Sequence, residues 1–162
     1  MLSVKDRLPI GWKRVTGLRF VSDLYLMRYA NKPTELEREN DYILAKDYTV
    51  VALIDDDTEF EITAPKGLVT DLASVPRRYR RIVGRVGPHL EACIIHDWLY
   101  VEWQLSECTP SSELREFADQ TMLAGMEAAG MGWKAKLIYW AVRLGGKGIF
   151  EERESGPILW HG

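Results

Sequence analysis

The run from Cys93 to Tyr100 holds the side chains most able to do chemistry in this chain. Cys93, His96, Asp97 and Tyr100 fall at i, i+3, i+4 and i+7. A helix through them puts a thiol, an imidazole, a carboxylate and a phenol on one face. The other faces of that helix are almost wholly apolar, which argues for burial. A buried His, Asp and Tyr cost several kcal/mol, on the order of 2–7 for each unpaired group, unless they are hydrogen-bonded or hold an ion. Partners are therefore expected. Asp119 sits on the inner half of the following helix, beside Ala118 and Met122, and the preceding loop offers Asp71 and Ser74, next to Arg77.

Two kinds of chemistry fit this set. A His held by a carboxylate is suited to general-base work, because the carboxylate fixes the tautomer and stabilises the imidazolium. That assigns His96, Asp119 and Tyr100 as candidate catalytic residues. Asp97 cannot point the same way as its neighbour His96, so it is free to face a metal or the loop, with Asp71 as the second candidate ligand. Carboxylates with loop carbonyls suit Ca²⁺ or Mg²⁺. The competing reading is a satisfied core network in which Asp119 accepts from His96, Asp71 caps a turn and nothing reacts.

Other chemistries fit less well. The chain has three histidines, His89, His96 and His161. His89 and His96 are separated by about 10 Å of helical rise, too far to share a zinc ion directly. Metal phosphohydrolases that use a His-Asp pair also need a His well upstream, and none exists. Cys93 reads as a small core residue in preference to a nucleophile. Arg77, Arg78, Arg80, Arg81 and Arg85, interleaved with Tyr79, form either a solvated face or an anion clamp for phosphate, a lipid headgroup or a nucleic-acid backbone.

The elements that must position these groups change character along the chain. Residues 1–70 are rich in β-branched and aromatic types, and Leu18 to Tyr29, Tyr42 to Ile54 and Glu59 to Thr63 read as strands. Asp55-Asp56-Asp57 reads as a hairpin tip, Asn31 to Asn40 as a charged loop or short exposed helix, and Ala64 to Gly67 as a turn into Leu68-Val69-Thr70. From residue 88 the period is helical. Pro88 to Leu105 is the first helix. Thr109-Pro110 opens a second, which runs to about Ala129 with Leu114, Phe117, Ala118, Thr121 and Met122 inward. A third spans Trp133 to Leu144, with Leu137, Trp140, Ala141 and Leu144 as its expected inner face, and ends at Gly145-Gly146. Residues from Lys147 read as irregular. The expected architecture is α+β: a β-rich half (1–70), a motif loop (67–88), a three-helix half (88–145) and an irregular tail (146–162), in one domain.

Bulk properties narrow the function classes. The chain has 162 residues, 46% hydrophobic and 28% charged, with a net charge of -3. That balance argues against non-specific nucleic-acid binding through global charge. Cys93 and Cys108 are too few for a disulfide scaffold and read as reduced thiols of a cytosolic product. Met1 to Trp12 carries charges and Pro9 where a signal peptide needs an apolar core, and no apolar run approaches the ~20 residues of a membrane span. Trp12, Trp103, Trp133, Trp140 and Trp160 cannot all fit one small core. Aromatic residues left outside it, Trp160 in the tail 155–162 above all, are expected to be ordered by a second protein chain.

With these residues in view, the chain resembles a family of short phage and bacterial proteins whose function is not established. The marks are Pro65-Lys66-Gly67-Leu68-Val69-Thr70-Asp71-Leu72-Ala73-Ser74-Val75-Pro76-Arg77, then Ala92 to Tyr100 with His96-Asp97-Trp98-Leu99-Tyr100, then Ala118-Asp119 and Met126. The resemblance implies a phage or prophage origin and carries no activity. A more local one concerns His96-Asp97-x-x-Tyr100 with Asp119, which is similar to secreted calcium-dependent phospholipases. It implies His96 as the base, Asp97 as a Ca²⁺ ligand with loop carbonyls, and Asp119 as the group that orients His96. The flanking disulfides and a clear Gly-rich calcium loop are missing here. The function expected from these readings is a virion or tail-associated component that retains a hydrolase-like His/Asp site, found in the particle or the host cytoplasm, with other phage structural proteins as partners. The alternatives are a free Ca²⁺- or Mg²⁺-dependent hydrolase of an ester or amide, and a purely structural adaptor.

Overall fold

The computed structural model describes residues 3–28, 42–70, 89–106, 109–151 and 159. Several expectations therefore lie outside the described residues. They are the loop or helix at 31–40, the motif-loop residues Asp71, Ser74 and Arg77, the arginine run to Arg85, Cys108, and the tail from residue 152 other than Leu159.

The β-rich half builds two antiparallel three-stranded sheets. β1 (Val15–Phe20), β4 (Tyr48–Ile54) and β5 (Thr58–Ala64) form one in the order β1-β4-β5. β2 (Leu26–Met27), β3 (Tyr42–Leu44) and β6 (Val69–Thr70) form the other in the order β2-β3-β6. Two expected strands are thus each divided. Leu18 to Tyr29 breaks at residues 21–25, and Tyr42 to Ile54 breaks at Ala45-Lys46-Asp47, because the chain crosses between sheets at both places. The crossing is stitched by the Ser22 hydroxyl, which accepts from the Thr49 amide at 2.8 Å, and by the Ala45 amide donating to Tyr25 O at 2.8 Å.

Side-chain alternation sets the register of the larger sheet. Tyr48, Val50, Ala52 and Ile54 of β4 are buried, and so are Phe60, Ile62 and Ala64 of β5. Val50 lies opposite Ile62 and Ala52 opposite Phe60, so the apolar sets share one face. The tip between these strands is the expected Asp turn. Asp55 and Asp56 take φ of 50° and 67°, conformations that Asp tolerates better than most residues. The Asp55 carboxylate also accepts from the Lys13 and Arg14 amides.

The helical half contributes α2 (Leu90–Leu105), α3 (Ser112–Ala128) and α4 (Trp133–Gly145), framed by short α1 (Val4–Arg7) and α5 (Lys147–Glu151). The second long helix starts later than Thr109-Pro110 suggests. Ser111 is its cap, with its hydroxyl accepting from the Leu114 amide at 3.2 Å. Residues 147–151 are helical where the sequence reads as irregular. Phe150 explains this, because it is buried edge-on against Tyr100 at 5.1 Å between ring centroids.

Helices and sheet meet through aromatic contacts and one close approach. Phe117 of α3 packs edge-on against Phe60 of β5 and against Trp12. Full burial of such a side chain stabilises by roughly 1.5–3 kcal/mol. α3 crosses α2 and β1 at Gly125, where a Cβ would stand 2.8 Å from Ala92 Cβ and from Leu18 Cδ2. Only glycine permits that distance.

The inner face of α4 differs from the expected one. Ala135, Ile138, Ala141 and Val142 are buried, whereas Trp140 is 60% and Leu144 82% exposed. Small residues let α4 lie close to α3, and a polar contact described below fixes its rotation. Leu159 forms an antiparallel bridge with Leu68. At that residue the tail contacts its own chain. No helix among the described residues is long and apolar enough to cross a membrane.

Candidate functional site

α2 is buried along most of its length because Ile94, Ile95, Trp98, Leu99 and Trp103 cover several of its sides. His96 and Tyr100 emerge one turn apart on the side that faces α3. Asp119 comes from the middle of α3 with its side chain wholly removed from solvent. Its carboxylate gathers donors from two helices, α2 and α4. His96 Nε2 lies 2.8 Å from Oδ1, and the Tyr100 hydroxyl donates to the same oxygen at 2.6 Å. Arg143 Nη1 of α4 donates to Oδ2 at 2.9 Å, with Arg115 Nε 3.8 Å from that oxygen. The structure thus brings His96, Tyr100 and Asp119 together.

Electrostatics follow from these contacts. Burial raises the Asp119 carboxyl pKa, but the bond and charge of His96, with the bonds from Tyr100 and Arg143, outweigh it and leave the group below its ordinary range. Tyr100 is pushed well up, by burial first and by the neighbouring Asp119 charge second. Its hydroxyl therefore stays protonated and serves as a donor. An ionised Asp119 only accepts, so the hydrogen between it and His96 belongs to Nε2. In the neutral ring Nδ1 then carries a lone pair. That atom is buried and has no hydrogen-bond partner among the described residues.

Asp97, adjacent in sequence, points elsewhere. Its Oδ2 accepts from the Thr70 hydroxyl of β6 at 2.6 Å. This bond ties α2 to the strand that precedes Asp71 in the sequence. No cluster of three His, Cys, Asp or Glu residues able to hold a metal occurs among the described residues. Cys93 is fully buried, and burial followed by the Asp97 charge pushes its thiol well up. It is a core thiol, not an activated one.

Three contributors escaped the sequence reading. Arg115 lies four residues before Asp119, a spacing that places both on one helical face and could have flagged it. Its Nη2 donates to the carbonyls of Val142 at 3.1 Å and of Arg143. Arg143 carried no such signal, because its helix read with a different inner face. Gly146 closes the cluster: a Cβ there would meet the Tyr100 hydroxyl at 2.9 Å and the Val142 carbonyl at 2.8 Å.

Residues 44–142 match the family described as protein of unknown function, DUF1353. The match spans more than half of the sequence, and the chain belongs to this family. It is also similar to an uncharacterized protein, y4jT, of Sinorhizobium fredii (strain NBRC 101917 / NGR234), with 34% identity over 91 residues. The similarity covers 54% of this chain and 25% of that protein, so the chain spans about a quarter of its relative. No solved structure matches.

Proposed function

We propose that this domain is a hydrolase-type module of a phage or prophage product, associated with the virion or its tail, in which His96 acts as a general base. One observation carries the catalytic part: a buried His whose Nε2 is held by Asp119 and whose Nδ1 has no partner among the described residues. Nδ1 would take a proton from water as the water oxygen bonds to an ester or amide carbonyl. Asp119 stays ionised and stabilises the imidazolium, which returns the proton to the leaving oxygen or nitrogen. Tyr100 and Arg143 position Asp119. The particle association rests on the resemblance to short phage proteins. The similarity to one segment of a longer protein is compatible with a module used inside larger assemblies.

Asp97 and Asp71 are the proposed ligands for Ca²⁺ or Mg²⁺. Asp97 supplies one carboxylate beside Thr70, and the chemistry assigned to His96 does not depend on the ion. A second reading has its own support. Arg143 already neutralises Asp119 at 2.9 Å, as a purely structural adaptor would require.

Turnover of chromogenic esters and amides by the purified protein separates the two, with and without millimolar Ca²⁺ or Mg²⁺. His96→Asn keeps a donor for Asp119 and removes the base. Under the hydrolase reading it loses at least about a hundredfold in rate, in the range of general-base effects, while the fold melts at a similar temperature. Equal rates in His96→Asn, or no turnover by the parent protein across the panel, would leave the structural reading standing. A rise in Tm with either ion that disappears in Asp97→Asn supports the cation site.

A further inference from the structure

The outer face of α4 has no counterpart in the proposed chemistry. Trp133, Leu137, Trp140 and Leu144 follow at i, i+4, i+7 and i+11 and form one stripe along the helix. Trp133 is 67% exposed, and Trp140 and Leu144 are exposed to the extents given above. Two tryptophans and a leucine turned to solvent on one stripe form an apolar ridge that the described residues leave uncovered.

Charge identifies what covers it. Although the protein is acidic overall, residues 128–150 contain no Asp or Glu and four basic residues, Lys134, Lys136, Arg143 and Lys147. Arg143 is engaged with Asp119. Lys136 and Lys147 are exposed and Lys134 is partly so. On a helical projection Lys134 and Lys136 fall on opposite flanks of the stripe. A Trp- and Leu-bearing ridge edged by lysines is the pattern of a helix that lies in a bilayer interface. The indoles sit at headgroup depth and the ammonium groups meet anionic phosphates.

We infer that α4 docks this protein on an anionic lipid surface through Trp133, Trp140 and Leu144, with Lys134 and Lys136 as the electrostatic contribution. The helix lies along the surface, since 13 residues are too few to span a bilayer. The inference stands apart from the hydrolase reading, and His96→Asn keeps the binding.

Co-sedimentation of the full-length protein with sucrose-loaded vesicles tests it. Binding to phosphatidylcholine vesicles containing phosphatidylglycerol is expected to exceed that to phosphatidylcholine alone by at least about tenfold and to fall with added salt. Tryptophan emission should shift to the blue on binding. Lys134→Glu with Lys136→Glu loses about tenfold or more in binding, and Trp133→Ser with Trp140→Ser loses both binding and the shift. These surface positions leave the melting temperature unchanged, which a thermal scan checks. The inference fails if the parent protein ignores anionic vesicles, or if the Trp pair variant still sediments with them. It also fails if ultracentrifugation shows self-association that Trp140→Ser abolishes, because a second copy then covers the ridge.

Discussion

Two buried carboxylates, Asp119 on α3 and Glu102 on α2, are driven in opposite directions. Asp119 lies under His96, Tyr100 and Arg143, and its pKa is lowered. Glu102, at the far end of α2, accepts from the Val4 amide at 3.1 Å and weakly from Ser106, and its pKa is raised. Burial pushes both upward. The difference is in the donors. Asp119 has an imidazole, a phenol and a guanidinium within 3 Å, whereas Glu102 has one amide, a distant hydroxyl and the more remote charge of Arg7. Burial alone therefore predicts neither charge state nor role. The first region is built to keep a charge, and the second only latches α1 to α2.

Removing the charge that is kept should have the largest effect. Asp119→Ala leaves His96 and Arg143 without their acceptor and is expected to cost about 3–5 kcal/mol in a denaturant titration. A loss below about 1 kcal/mol would mean that the two carboxylates do not differ as described. The acid limb carries the same contrast. Asp119 has a depressed pKa in the fold, so its stabilisation is present above the unfolded value near ~4 and lost as pH falls through the folded one. Asp119→Asn should flatten the stability profile in that window.

A smaller change disturbs one region only. Gly125→Ala forces α3 away from Ala92 at the crossing and is expected to cost about 1–3 kcal/mol. It should loosen the Tyr100 and His96 contacts to Asp119, read as faster hydrogen exchange around them. Protection at the Val4 amide, held by Glu102, should be unchanged.

The smallest effect has the opposite sign. Glu102 binds its proton more tightly in the fold, so its ionisation lowers stability as pH rises from the unfolded value through the raised folded one. Glu102→Gln keeps an acceptor for Val4 and removes that charge. It should stabilise by up to about 1 kcal/mol at neutral pH and by nothing at pH 3. Destabilisation at neutral pH would show that Glu102 is held as a charge after all.

How much of this was legible varies by residue. The α+β division and the grouping of His96, Tyr100 and Asp119 follow from helical spacing and the cost of burying polar groups. The rotation of α4 did not follow. Its apolar residues fit two faces, and the fold chooses Ala135, Ile138, Ala141 and Val142 because that choice carries Arg143 to Asp119. A tertiary ion pair decides between faces that periodicity ranks the other way. Sheet switching at residues 21–25 and 45–47 was equally hidden, because strand-forming residues continue across both breaks.

The Asp55-Asp56 turn has a consequence for the order in which a growing chain can acquire structure. Its left-handed pair sets the β4–β5 ladder between residues close in sequence, and β1 adds from a few dozen residues upstream. All three strands have emerged from the ribosome before α2 begins, and local pairings of this kind form early. Asp119 has no such independence. Its Oδ1 finds His96 and Tyr100 on α2, but its Oδ2 is matched only after Arg143 has been synthesised, 24 residues later. During that interval α3 can lie against α2 only with Oδ2 unmatched, so the helical layer is expected to consolidate fully in a late step, timed by the arrival of α4.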